Sequence, residues 1–132
     1  MNSKDKINFI VNWIKNYIKT IKKQPVSLII GVSGGVDSAL TSTLCARTGL
    51  DTIAISMPIK QNSTQHDLSL KHLDYLKKNF NNVDTKIIEL DNIFKTFENT
   101  MKDSNSELAF ANSRSRLRMV TLYQVAQSNN GI

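Results

Sequence analysis

The chain has 132 residues, 40% hydrophobic and 21% charged, with a net charge of +6; that is the size and composition of one ordinary domain, which excludes wholesale disorder, collagen and low-complexity architectures. Its one cysteine, Cys45, excludes an internal disulfide and a multi-cysteine metal module and fits a reducing, cytoplasmic compartment. No apolar run approaches the ~20 residues that cross a bilayer, so no membrane association is expected.

Residues 4–22 are expected to form an amphipathic helix, with Ile7, Ile10, Val11, Ile14, Tyr17, Ile18 and Ile21 at three- and four-residue steps. Ser3 is its expected cap, and Lys22, Lys23 and Pro25 close it. Residues 27–33 (SLIIGVS) are apolar and β-branched without alternation, as in a strand buried on both faces of a parallel sheet. Gly34-Gly35 break that strand, and helical spacing resumes over residues 37–47 until Gly49. The pattern repeats with a strand at 52–57, a helix at 64–80, a strand at 83–90, a short helix at 93–101 and a long helix at 107–127. Strands alternating with helices predict an α/β fold, a doubly wound parallel sheet, within one domain spanning residues 1–132. The alternation calls for a further strand after Gly131, so this domain is expected to be incomplete.

The positive charge is split. Residues 1–25 hold six Lys against Asp5, Arg114, Arg116 and Arg118 add a second cluster, and residues 51–110 are mildly acidic. Without a continuous basic face, and with 7% aromatics, nucleic acid is not an expected partner. A small anion or an interface is.

The motif that carries chemistry is GVSGGVDS, residues 31–38, between the first strand and the next helix. Ligands of open α/β sheets sit outside the carboxyl ends of strands. Glycines there bring backbone N–H groups close, and the helix N-terminus adds positive charge, which makes a phosphate cradle. Ser33 and Ser38 add hydroxyls. Asp37 would repel phosphate unless a Mg²⁺ ion bridges the two. The Walker loop is excluded because no Lys follows Gly35, and the dinucleotide fingerprint because its glycine spacing fails.

The loop resembles the SGGxDS motif of the ATP-pyrophosphatase (PP-loop) superfamily, matched at Ser33, Gly34, Gly35, Asp37 and Ser38. Residues 111–119, ANSRSRLRM, resemble the N-x-[KR]-x-R-x-R-M segment of NAD synthetases, and ISMP at 55–58 is similar to the strand end that forms that family's adenine pocket. The resemblance implies an adenine nucleotide alpha-hydrolase-like, Rossmann-like fold. It also implies ATP-dependent amidation of deamido-NAD to NAD through an adenylate, with release of AMP and pyrophosphate. ATP would be bound by Gly31, Val32, Ser33, Gly34, Gly35, Val36, Asp37 and Ser38 together with Met57 and Gln61, deamido-NAD by Asn112 and Arg116, and Mg²⁺ by Asp37. No residue is assigned as acid or base.

Only about 25 residues precede the loop, so the expected nitrogen source is free ammonia or ammonia from a separate partner. A homodimer is expected, with Trp13 and Tyr17 of the first helix available to its interface. The chain by itself is expected to be inactive, with an exposed apolar edge on its first strand until a downstream half is supplied. Another PP-loop adenylating enzyme, of GMP synthetase or tRNA-modifying type, and a non-catalytic nucleotide-binding module are the alternatives. His66 and His72 are expected at the surface and Cys45 as a buried small hydrophobe.

Overall fold

The structure, a computed structural model, describes residues 1–132. Its elements in chain order are α1 (Ser3–Lys19), β1 (Leu28–Gly31), α2 (Val36–Arg47), β2 (Thr52–Ser56), α3 (Ser63–Asn79), β3 (Val83–Ile87), α4 (Asp91–Thr100) and α5 (Glu107–Ser128). The strands form one parallel sheet in the order β1–β2–β3, with Leu28 opposite Thr52 and Thr52 opposite Val83.

All of β2 is buried, which is why it reads as an unbroken apolar run. Its pleat sends Ile53 and Ile55 into a cluster with Met57, Leu90, Phe94 and Phe110, beneath α4 and α5. Ala54 turns to the opposite face and joins Val32, Ala46, Leu73, Leu76 and Val83, beneath α2 and α3. Helices therefore cover both faces, the doubly wound arrangement expected from the alternation. No helix is long and apolar enough to cross a membrane.

Helix α1 lies outside that alternation and packs on α2, with Ile18 in a third cluster beside Val26 and Leu28. Its inward stripe is Ile7, Val11, Ile14, Ile18 and Ile21; Ile10 and Tyr17, expected on that stripe, point outward with Phe9 and Trp13. The cap is Asn2, not Ser3: the Asp5 amide donates to Asn2 Oδ1 at 2.9 Å. The helix stops at Lys19 because the Gln24 amide donates to the Ile18 and Ile21 carbonyls, at 2.8 and 2.6 Å, and completes the turn from outside.

All three strands are shorter than expected, β2 by one residue and the other two by three. β3 ends at Ile87, where the chain bends until the Leu90 amide donates to the Pro58 carbonyl at 3.2 Å and α4 begins. β1 is half-buried beyond Leu28, because on its free side only the last residues of the chain lie against it. Ser27 bridges Gly131 in parallel, and the Ile29 amide donates to the Ile132 carbonyl at 2.7 Å. The edge flanking β1 is thus partnered at its start and open toward Gly31.

Candidate functional site

Gly31 leads from β1 into the loop, and the loop takes its shape from its own side chains. The Ser33 amide donates to Ser38 Oγ at 3.0 Å, the two serine hydroxyls lie 3.1 Å apart, and the Gly35 amide donates to Ser33 Oγ at 3.2 Å. Ser38 Oγ also lies 3.1 Å from the Gly35 carbonyl. At Gly34, φ is +94°, and an added Cβ would fall 2.3 Å from the Gln65 carbonyl. Only glycine lets the loop lie this flat on α3. Gly35 then caps α2 without a side chain, so the first amides of the helix face outward uncapped, as anion binding requires.

The site residues divide between three surfaces. Gly31, Val32, Ser33, Met57 and Gln61 line a cleft of about 510 Å³ closed on its far side by Ser115, Arg118 and Leu122 of α5. Gly34, Gly35 and Val36 border a second groove of about 420 Å³, against Leu68, Lys71, His72 and Tyr75 of α3. Asn112 and Arg116 line neither; with Ile93, Phe97 and Val120 they form a third cavity of about 350 Å³ between α4 and α5. The expected ATP residues therefore meet around one loop, and the expected deamido-NAD residues face a different side of α5. Arginines two apart on a helix diverge by about 200°, which accounts for the separation.

Several contacts that build the cleft carried no expectation. Arg118 Nε donates to the Met57 carbonyl at 2.9 Å. Burial, and then the neighbouring Arg114, push the Arg118 guanidinium below its usual value, with Asp91 acting in the other direction. Arg114 itself lies over the Phe94 ring, 5.5 Å from its centre. Lys60 stands at φ +48°. It is fixed there by its amide donating to Asp91 Oδ1 at 2.7 Å and by an ion pair from Nζ to Glu98 at 2.8 Å. Gln61 Nε2 donates to the Ser33 carbonyl at 2.6 Å, tying this segment to the loop. Arg118 was visible in the sequence as the residue one turn after Arg114. The Lys60 contacts were not, because their partners lie more than thirty positions away.

Asp37 is exposed in the first turn of α2 and makes no ion pair. No group of three or more His, Cys, Asp or Glu side chains converges anywhere in the chain. A single free carboxylate beside uncapped helix amides could hold a cation only if its remaining ligands came from a bound anion and water. Cys45 is half-buried against the α1 cluster, and burial raises its thiol pKa, which disfavours the reactive thiolate. His72 is not merely a surface residue: its Nε2 lies 2.9 Å from the fully buried Ser42 Oγ.

The NAD synthase family model matches residues 6–132. The NH(3)-dependent NAD(+) synthetase of Mesoplasma florum is 34% identical over 134 residues, covering 98% of this chain and 52% of that protein. Among solved structures, an NMN synthetase from Francisella tularensis superposes with a TM-score of 0.87 at 27% identity, covering 100% of this chain and 53% of the other. An NH3-dependent NAD synthetase from Campylobacter jejuni, in complex with the nitrate ion, gives 0.82 at 27% identity, covering 99% and 55%. The chain spans about half the length of the relatives it matches.

Proposed function

The chain belongs to the NAD synthase family, and from that premise we propose that it seats Mg·ATP in the cleft between the glycine loop and α5 for the amidation of deamido-NAD to NAD. The observation that carries this reading is the loop itself, pressed flat on α3 at Gly34 and followed by a helix start that no side chain caps. Its amides, with Ser33 and Ser38, hold the β- and γ-phosphates. Met57 and Leu122 supply apolar walls for the purine, and Arg118, anchored on the Met57 carbonyl, borders the same cleft. The nicotinate carboxylate attacks the α-phosphorus, pyrophosphate leaves into the loop, and the mixed anhydride is an acyl adenylate. Ammonia then adds to the acyl carbon, loses a proton, and expels AMP.

Catalysis in this reading is positioning and charge neutralisation, so no acid or base is required of the chain. Asp37 would hold Mg²⁺ by one carboxylate, and the ion would supply neutralisation of phosphate charge. Asn112 and Arg116 hold the nicotinate substrate from the α4–α5 cavity. Since that cavity is separate from the ATP cleft, the substrate would reach across a two-fold interface from a second protomer. A soluble, cytoplasmic setting fits the substrates.

The loop itself has no lysine and Asp37 is the one carboxylate this reading gives to the metal, so turnover is expected to need further charged groups. Residues 1–132 are therefore expected to bind Mg·ATP and Mg·pyrophosphate competitively in calorimetry without forming NAD. Failure to bind either removes the proposal. A chimera with residues 1–132 in place of the matching half of the Mesoplasma florum relative tests the reaction. NAD formed from deamido-NAD, ATP and ammonia supports it; ATP turnover only with xanthosine monophosphate or tRNA overturns it. A second reading, amidation of nicotinate mononucleotide to NMN, draws on the likeness to the Francisella tularensis protein. Mononucleotide and dinucleotide compared in the same chimera separate the two.

A further inference from the structure

Ser42 sits in the second turn of α2 with no exposed surface, an unusual place for a hydroxyl in a helix packed on a sheet. Its Oγ donates to the Ser38 carbonyl at 2.7 Å and lies 3.1 Å from the Ala39 carbonyl. The third group around it is His72 Nε2 of α3, at 2.9 Å. A hydroxyl has one proton to give. With that proton on the Ser38 carbonyl, the imidazole must donate, which assigns its proton to Nε2. The imidazole ring is itself held by stacking on Tyr75, with ring centres 5.7 Å apart.

Ser38 and Ala39 form the first turn of α2, and the Ser38 hydroxyl is the hub of the loop's own hydrogen bonds. The helix start is thus gripped by α3 at two places: the Gln65 backbone beneath Gly34, and His72 beneath Ser42. Neither Ser42 nor His72 borders the 510 Å³ cleft; His72 lies on the other side of the loop, lining the 420 Å³ groove with Gly34, Gly35 and Val36.

We propose that His72 is a positioning residue for the phosphate-gripping loop, acting through Ser42 on the first turn of α2. The claim rests on the reading of that loop as the ATP site, but its first measurement does not. Amide hydrogen exchange of the purified chain, read at Ser33, Gly35 and Ser38, is compared for wild type, His72→Leu, His72→Gln and Ser42→Ala, with Mg·ATP titrations alongside. Gln places an amide Nε2 about where the imidazole Nε2 stands.

His72→Leu is expected to speed loop exchange and weaken Mg·ATP by roughly three- to tenfold each, the worth of one hydrogen bond. Ser42→Ala, which removes only the hydroxyl, is expected to do the same. His72→Gln is expected to restore both to within about twofold of wild type. Adding Ser42→Ala to His72→Leu is expected to change neither further, since the two act in one chain of bonds. Unchanged loop exchange in both Leu and Ala variants overturns the proposal, as does a Gln variant as impaired as Leu, which would make the imidazole a filler of volume only. Altered loop exchange in a protein that never binds Mg·ATP keeps the positioning role and removes the nucleotide reading instead.

Discussion

Gly34 and Asp37 stand three residues apart and answer to different physics. Gly34 is required by the backbone: φ of +94° and a carbonyl 2.3 Å from any Cβ leave no room for a side chain. Gly34→Ala is expected to cost about 1–3 kcal/mol of stability and to abolish Mg·ATP binding. Thermal melting and calorimetry check both, and full binding in the variant would mean the loop can reshape without loss. Asp37 is exposed and unpaired, so nothing in the fold depends on its charge beyond a modest helix-dipole effect. Asp37→Asn is expected to keep the melting temperature and lose the Mg²⁺ dependence of ATP binding. Mg·ATP bound as tightly as by the parent would reduce Asp37 to a first-turn acid. Both residues were legible in the sequence, whereas the Gln65 backbone that makes Gly34 obligatory was not, because a main-chain contact from another helix leaves no trace in residue type.

At the scale of elements, α3 is the support on which the loop rests, and its packing carries a pH dependence. Burial lowers the His72 pKa from its ordinary 6.5, an effect opposed in part by the Ala39 carbonyl. The unfolded chain therefore takes up the proton first. The stability given by neutral His72 is complete above pH 6.5 and is lost as pH falls through that value toward the folded-state pKa. The melting temperature is expected to fall between about pH 7 and pH 5, and to fall less in His72→Gln. Equal falls in the two proteins would place the titration elsewhere. Helix and strand order was readable from apolar periodicity, yet His72 was expected at the surface. Its partner Ser42 lies thirty residues back, and a polar helix face gives no sign of a buried hydroxyl opposite.

At the scale of the whole molecule, α1 presents Phe9, Trp13 and Tyr17 to solvent, 62%, 59% and 50% exposed, with the last two rings stacked 5.5 Å apart. These residues recur every four positions and leave an aromatic stripe beside the one that packs inward. A closed two-fold pairing would bury it. Sedimentation is expected to show a dimer at tens of micromolar, and Trp13→Glu a monomer with unchanged Mg·ATP affinity. A parent protein that is monomeric at that concentration and still binds nucleotide would sink the pairing.

By itself the sequence determined the layered α/β architecture, the order of its strands and helices, and the position of the glycine loop between β1 and α2. Each of these is written locally, in apolar period, in breaks at glycine and proline, and in a motif eight residues long (31–38). Only the tertiary structure decided that Arg118 closes the cleft while Arg116 faces another cavity, that Lys60 is held by Asp91 and Glu98, and that His72 reaches Ser42. Those pairings join residues that chain separation hides. Their partners are chosen by how helices seat on the sheet, a property of the packed molecule that no local stretch of sequence specifies.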